Sequence, residues 1–486
     1  MADGLICIDF GSAFTKVSVR RGRRTNSDIV VSTEHALPAG TDTSPEYRLC
    51  VPSTVVVDTT TPTPQYSFGL RTINRRTSDT ITVRKNWKKE LFSASGTAPS
   101  VAPPKARKMT RLESLVHSPA FAKLAEQYRV SKNELTSLQW LVIHATSITL
   151  PIYNAPLPEG PVDYTFPLAV EFFRWLRGVV LAAASGQGGQ DAVARLPVRV
   201  TVPAFAPEDQ LAQHPGCVRL REALQMAKWE LHSEMPFVSE PYANAVGVLT
   251  QGSNCTRVAD MFKHGLLITA LRDPKTHDIY RVAVIDVGAF TTDFACLTMN
   301  SFGQVVQLSD IEFETKTHSV SVGMSDLDDT VLAALNAENQ AYFRDEASPA
   351  EWAELRLYLY TLKQPYSSPV GDVGTPEEMP RIEAAIGELQ TRLAVETTKF
   401  FATIEDVPFK ELVLTGGGST VPAIQEALIG AAEAGRQKYR KVHMPVVAET
   451  GHRETTNLQI VTPLDAKLTR GATALGGTSS YFDLIT

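Results

Sequence analysis

The sequence predicts an α/β protein assembled from two related halves, and three observations carry that expectation. Residues 5–19, LICIDFGSAFTKVSV, and residues 282–297, VAVIDVGAFTTDFACL, follow one pattern. Each runs from an apolar strand through Asp-x-Gly, then small or hydroxyl residues around a phenylalanine, into a second strand (Val17 and Val19; Phe294, Cys296 and Leu297). A pattern repeated near the start of each half is the mark of a duplicated domain. Strand-like and helix-like segments alternate between and after the two copies, which predicts α/β layers. Finally, 486 residues exceed what one compact core accommodates, so two or more folded units are expected.

The intervening elements follow from their residues. VRVTVPA (198–204) is valine-rich and reads as a buried strand closed by Pro203. LREALQMAKWEL (220–231) has helical spacing, with Leu220, Leu224, Ala227 or Lys228, and Leu231 on one face. Ile382, Ile386, Leu389 and Leu393 recur at the steps of a core-facing helix. ELVLTGGGSTVPAIQEALIGAA (411–432) reads strand, glycine turn, helix. Pro422 stands in that helix's first turn, where its missing N–H costs nothing. SASGTAPSVAPPKARK (93–108), SGQGGQ (185–190) and residues 34–50 read as surface loops. SGQGGQ lacks the Lys-Ser/Thr of a phosphate-binding loop and is expected to be a connector.

Composition removes several function classes. An apolar content of 43% with 21% charged residues is that of a soluble globular protein. A net charge of −6 argues against a dedicated nucleic-acid binder. RRGRR (20–24) then reads as a solvated hairpin tip after the strand at 17–19. The five cysteines (Cys7, Cys50, Cys217, Cys255, Cys296) have no C-x-x-C spacing, which suits a reducing compartment. MADGLICIDF has no signal-peptide pattern and no apolar run reaches membrane-spanning length, so a cytoplasmic protein is expected. Histidines such as His144 have no partner at helical spacing, and no G-x-S-x-G, H-E-x-x-H or Walker motif occurs.

The two Asp-x-Gly turns carry the chemistry. Glycine lets backbone approach a ligand, at about 0.5–1 kcal/mol of folding cost relative to alanine. Successive N–H groups in such a turn form a nest for phosphate oxygens. If the halves face each other, Asp9 and Asp286 converge. Two carboxylates ~4 Å apart repel by roughly 4 kcal/mol at an effective dielectric of ~20. A divalent cation removes that repulsion, and Mg²⁺ keeps several waters while bridging carboxylates and phosphates. The pair therefore predicts Mg²⁺ and a phosphate chain between two lobes. TGGGSTVP (415–422) adds a third close-approach turn at a helix N-terminus. Taken singly, each aspartate reads as a cap on its own hairpin, and the third loop as a tight turn, for which one glycine would serve.

In this order the segments resemble the actin-like ATPase superfamily, and most of all the nucleotide-binding domain of DnaK-type heat-shock chaperones. IDFGSAFTK (8–16) resembles the first phosphate motif, with Lys16 the actin-like choice. VPSTVVVD (51–58), FGLRTI (68–73) and DTITVRKNW (79–87) are similar to the stretch leading to a catalytic lysine, here Lys85. VTVPAFAPEDQ (200–210) and SEPYANAVG (239–247) resemble the connecting segment, with Glu240 in the catalytic glutamate's place. VIDVGAFTTDF (284–294) resembles the second phosphate motif, SVGMSDLDD (321–329) a later glycine–acid motif, and LTGGGSTVPAIQEAL (414–428) the adenosine motif. DAKLTRGATALGG (465–477) is similar to the closing segment that begins at Asp465.

The resemblance implies a duplicated actin-like (ribonuclease H-like) ATPase fold, two lobes around a central nucleotide cleft. Lobe I would be 1–247 (core 1–33 and 150–247, insert about 34–149), completed by the helix at 465–486. Lobe II would be 248–464 (core 248–330 and 395–464, insert about 331–394). ATP or ADP is the implied ligand, with Mg²⁺ held through water by Asp9 and Asp286. Gly11, Ser12, Ala13, Gly288 and Ala289 would offer N–H groups, and Lys16 or Lys85 would neutralise phosphate charge. Glu240, Thr291 and Asp293 would orient the attacking water, while Lys363, Gly416, Gly417, Gly418 and Asp465 would bind nucleotide. The chain departs from the family at Ala289 and Phe290 (consecutive glycines there), Thr420 (an adenine-stacking arginine), and Tyr360 and Gln364 (Glu and Arg). Too few residues follow Gly418 for a β-sandwich client-binding domain, which takes about 100. Slow ATP hydrolysis coupled to a protein partner or client is the expected function. A polymerising actin-like filament protein and a nucleotide-binding scaffold without turnover are the alternatives.

Overall fold

The computed structural model describes residues 4–22, 27–29, 50–58, 60, 65–72, 75–78, 80–85, 87–92, 165–185, 190–204, 206–250, 279–301, 311–404, 409–434, 441–445, 460–463, 466–479 and 482. The expected inserts at 34–49, 93–108 and 111–160, the connector at 186–189, Arg23, Arg24 and Asp465 lie outside these residues. Among the described residues the architecture is mixed α/β, with two six-stranded sheets, one three-stranded sheet and a two-stranded hairpin. No described helix is long and apolar enough to cross a membrane.

The first sheet is built on β1 (Leu5–Phe10), whose six residues are all buried, as expected of a strand covered on both faces. β2 (Phe14–Arg20) returns antiparallel, with Leu5 opposite Arg20 and Phe10 opposite Thr15. β3 (Asp28–Ile29) and β4 (Val51–Pro52) extend it from β2. β5 (Val55–Asp58), β6 (Gln65–Ser67) and β7 (Ile81–Arg84) form the small antiparallel sheet, β5 in the middle. β8 (Val198–Val202) and β9 (Phe237–Ser239) complete the first sheet in parallel on the other side of β1.

The second sheet repeats that order. β10 (Ile279–Val287) is flanked by antiparallel β11 (Thr292–Ser301), which pairs with β12 (Ile311–Val320). β13 (Tyr366–Ser368) and β14 (Gly371–Val373) form the separate hairpin. On β10's other side, β15 (Phe409–Thr415), β16 (Lys441–Met444) and β17 (Ile460–Pro463) run parallel.

Helices fill the layers. α1 (Lys88–Phe92), α2 (Thr165–Ser185) and α3 (Pro215–Met226) pack with the first sheet around Phe10, Trp87, Phe172 and Phe173. These rings meet at 5.1–5.8 Å in tilted or edge-on geometry, each such pair contributing about 0.5–1.5 kcal/mol beyond burial. α4 (Glu240–Thr250) packs on β10 and β11. α5 (Met324–Ala334), α6 (Pro349–Arg356), α7 (Met379–Ala402) and α8 (Pro422–Ala434) enclose the second core. Ile382, Ile386, Leu389 and Leu393 all point into it. α9 (Ala466–Gly477) lies on β1, β2 and β8 and crosses α4.

The helix expected over 220–231 is displaced towards the N-terminus. Pro215 opens it, and His214 caps it by accepting from the Gly216 N–H at 3.2 Å. Lys228 then takes a φ of 67°, and Leu231 bridges in parallel to Val198. The leucine spacing marked only the helix's second half, because Leu231 is half-buried beside a strand contact rather than on a helical face.

Gly387 lies within α7 with nothing within 4 Å of where a Cβ would stand. Gly387→Ala is expected to raise stability by about 1 kcal/mol, read as a later denaturant midpoint at unchanged slope.

Candidate functional site

Both central strands carry an aspartate one residue before their C-terminal end, in equivalent registers. Asp9 lies opposite Lys16 on its antiparallel side and Thr201 on its parallel side. Asp286 lies opposite Asp293 and Thr415 in the same sense. The Lys16 Nζ donates to Asp9 Oδ2 at 2.9 Å, and the Thr201 hydroxyl to Oδ1 at 3.3 Å. The Asn244 amide donates to Asp286 Oδ2 at 2.5 Å. Glu240, the first residue of α4, accepts from Lys88 Nζ at 2.5 Å. Asp293 accepts from Thr291 Oγ1 at 3.2 Å and from the Ser319 hydroxyl. Ser319 in turn accepts from the Ala204 N–H at 3.3 Å, joining β12 to the segment after β8.

Asp9, Glu240, Asp286 and Asp293 thus form one electrostatically connected cluster, answered by two ammonium groups, Lys16 and Lys88. Burial pushes the Asp286 carboxyl up; Lys16 opposes this, Asp9 and Glu240 add to it, and the result is about 6. Burial likewise raises Asp293 well above the usual carboxylate range, with the Glu240 charge adding to it. Glu240 is raised by burial against the pull of Lys88. Burial alone would lower Lys16, but Asp9 outweighs it and holds the ammonium above its ordinary value.

The linkage sign follows. A carboxyl raised from 3.8 to about 6 by folding binds its proton more tightly in the folded state. That stabilisation is complete below pH ~4 and is lost as pH rises through about 6, an order of 3 kcal/mol at 1.36 kcal/mol per unit. Stability measured at low ionic strength is expected to fall between pH 4 and 7, and Asp286→Asn to flatten the fall.

The turns after the two aspartates are both tight but close differently. The Gly11 N–H bonds to Asp9 O at 3.0 Å and the Gly288 N–H to Thr291 O at 2.9 Å. Those two amides, expected to face a ligand, are consumed within their own hairpins, as the tightness of the turns requires. A Cβ at Gly11 would stand 2.2 Å from Phe14 O. Among the described residues the N–H groups of Ser12, Ala13 and Ala289 have no partner. The second turn is clamped from behind, for the first two amides of α5 donate to Gly288 O and Ala289 O at 3.0 and 2.7 Å.

Other expected site residues stand elsewhere. Lys85 donates to Ala347 O at 3.2 Å and lies 5.8 Å from the Trp352 ring centroid; burial lowers it to about 8, with Arg356 adding to the effect. Lys88, at the start of α1, is the lysine brought to the carboxylates. Lys363 is exposed just past a helical turn, in left-handed backbone at φ 53°. Tyr360 is buried and donates to Asp328. The three glycines pack against the chain itself. A Cβ would meet Asp286 Oδ1 at 2.1 Å from Gly416, Arg470 Nη1 at 2.7 Å from Gly417, and Val287 Cγ1 at 2.4 Å from Gly418. Thr420 closes the same turn through Gly417 O at 2.7 Å.

A second contact joins distant segments. Arg76 pairs with Glu351 at 2.5 Å and lies over the Tyr342 ring at 5.4 Å, while Tyr342 also donates to Glu351. With Lys85 on Ala347 and Trp352, Arg76 and Lys85 are thereby clasped to residues 342–352.

Sequence reasoning missed Lys88, Asn244 and Ser319. Asn244 carried a local signal, since an asparagine inside the apolar stretch EPYANAVG is poorly placed in a helix. Ser319 carried none. No group of three or more His, Cys, Asp or Glu among the described residues is placed to hold a metal by itself. No protein-family model and no curated protein matches the chain.

Proposed function

We propose that this is a Mg²⁺-dependent nucleotide-binding protein of actin-like build, holding ATP or ADP between two lobes whose closure governs binding of a protein partner. The observation that supports this best is the carboxylate cluster flanked by two Asp-x-Gly turns that each keep an unpaired amide. The donor set fits the ion, because hard carboxylate oxygens in excess over cations suit a hard divalent cation. Two carboxylates supplemented by water and phosphate ligands need no third protein acid. Asp9 and Asp286 would hold Mg²⁺ through water, and the ion when bound neutralises phosphate charge. Ser12, Ala13 and Ala289 would donate to phosphate oxygens, and Lys16 would face them from Asp9. Glu240, Thr291 and Asp293 would orient a water, with Lys88 in the place assigned to Lys85.

Calorimetric titration with ATP and ADP, with and without Mg²⁺, tests the proposal. Micromolar or tighter binding that requires Mg²⁺ and disappears in Asp9→Ala is the expected outcome; equal heats in all arms would sink it.

A scaffold with little turnover is the second reading. The 2.5 Å Lys88–Glu240 pair favours it, since a carboxylate engaged by an ammonium is a poor base. Phosphate release from purified protein separates the two readings. Nucleotide-dependent sedimentation would instead select a filament.

A further inference from the structure

Asn244 is out of place by every local rule. It lies in the middle of α4, 2% exposed, between Ala243 and Ala245 and one turn from Val248. A buried amide is tolerated only where its hydrogen bonds are made. Here the partners come from three other elements. The Nδ2 lies 2.5 Å from Asp286 Oδ2 near the end of β10, 3.1 Å from Thr415 Oγ1 at the end of β15, and 3.0 Å from Thr473 Oγ1 in α9. The Thr415 hydroxyl also reaches Asn244 Oδ1 at 3.3 Å. Two amide hydrogens serve three acceptors, so the charged one, Asp286, holds one of them firmly while the threonines share the other.

The backbone around the amide leaves it no freedom. A Cβ on Gly247 would stand 1.8 Å from Ala472 O, and one on Gly476 would stand 1.7 Å from Ala243 O, so α4 and α9 touch main chain to main chain beside Asn244. α9 is fastened to the first sheet, where the Ser18 hydroxyl donates to Ala474 O at 2.5 Å. Asp286 belongs to the second sheet. One oxygen of Asp286 is therefore fixed by a group whose position depends on both sheets. The other faces the Cα of Gly416, too close to admit a Cβ there.

We infer that Asn244 is the positioning residue for Asp286: it selects the carboxylate orientation presented to the cation and ties that orientation to the α4–α9 crossing. The inference rests on the nucleotide-binding reading above. Its consequence is selective. Losing the amide lets the carboxylate rotate, weakening a Mg²⁺-mediated contact while sparing contacts made without the ion.

The test uses the full-length protein, Asn244→Ala, Asn244→Ser (which keeps a short donor) and Asp286→Asn. Calorimetry at fixed ATP with Mg²⁺ varied is expected to show a tenfold or larger loss of apparent Mg²⁺ affinity in Asn244→Ala. Partial recovery is expected in Asn244→Ser, with metal-free ATP binding unchanged. Equal weakening with and without Mg²⁺, or none, would overturn the inference. A second readout needs no nucleotide: denaturant unfolding of Asn244→Ala, Asp286→Asn and the double variant. A non-additive cycle is expected, the double variant being no less stable than the worse single one; additive losses would overturn the inference. Absence of Mg²⁺-dependent binding in the unmutated protein would remove the functional reading, whereas an additive cycle removes only the Asn244 assignment.

Discussion

Lys88→Ala is expected to be among the most damaging single substitutions in the chain, destabilising it by about 3–5 kcal/mol, the cost of breaking a buried ion pair from one side. The lysine's side chain is 6% exposed and that of Glu240 13%. Removing the ammonium leaves Glu240 facing Asp9 and Asp293 with less to balance their charge. The ammonium also lies 5.6 and 5.8 Å from the Phe10 and Phe92 rings, so packing is lost with it. Neutralising the other side should recover much of the loss, because exchanging a buried pair for groups of similar shape is close to neutral. Urea unfolding of Lys88→Ala and of Lys88→Met with Glu240→Gln measures this. A single variant within 1 kcal/mol of the parent would mean the pair is solvated and carries little.

Gly247→Ala is the second. In most helices this exchange gains up to about 1 kcal/mol, as expected for Gly387. At Gly247 the added methyl would lie 1.8 Å from the carbonyl oxygen of Ala472, so the helices must separate or the chain must bend. Overpacking costs typically 1–3 kcal/mol, and rigid backbone on both sides puts this case at or above the upper end. Because α4 carries Glu240 and Asn244, the nucleotide binding proposed above is expected to fall with stability. Gly476→Ala strains the same crossing, so the two substitutions together should cost less than the sum of their separate effects. An unchanged melting curve for Gly247→Ala would show that the crossing is looser than described.

The Asp-x-Gly hairpins were legible because strand, turn and return are local: β1–β2 and β10–β11 stand where the two copies of the pattern lie. The stripe from Ile382 to Leu393 was legible for the same reason. That Lys88 rather than Lys85 reaches Glu240 was not. Three positions separate them, and only the start of α1 at Lys88 turns one towards Glu240 and leaves the other at Ala347. The glycine triplet was visible but not its cause, since the atoms that exclude side chains at Gly416 and Gly418 belong to Asp286 and Val287. Ser319 and Asn244 gain their roles from partners far along the chain, Ala204 and Asp286 among them, which no spacing rule reaches.

The clasp between Arg76 and Glu351 is open to the electrolyte. The arginine side chain is 48% exposed, so the attraction acts partly through solvent. The screening length falls from about 8 Å at physiological ionic strength to about 3 Å at 1 M. Salt should therefore loosen Arg76 from Glu351 while leaving the buried carboxylate cluster almost untouched. On the nucleotide-binding reading proposed above, ligand exchange would then quicken in concentrated salt, with the electrolyte setting the tempo and the interior setting the affinity.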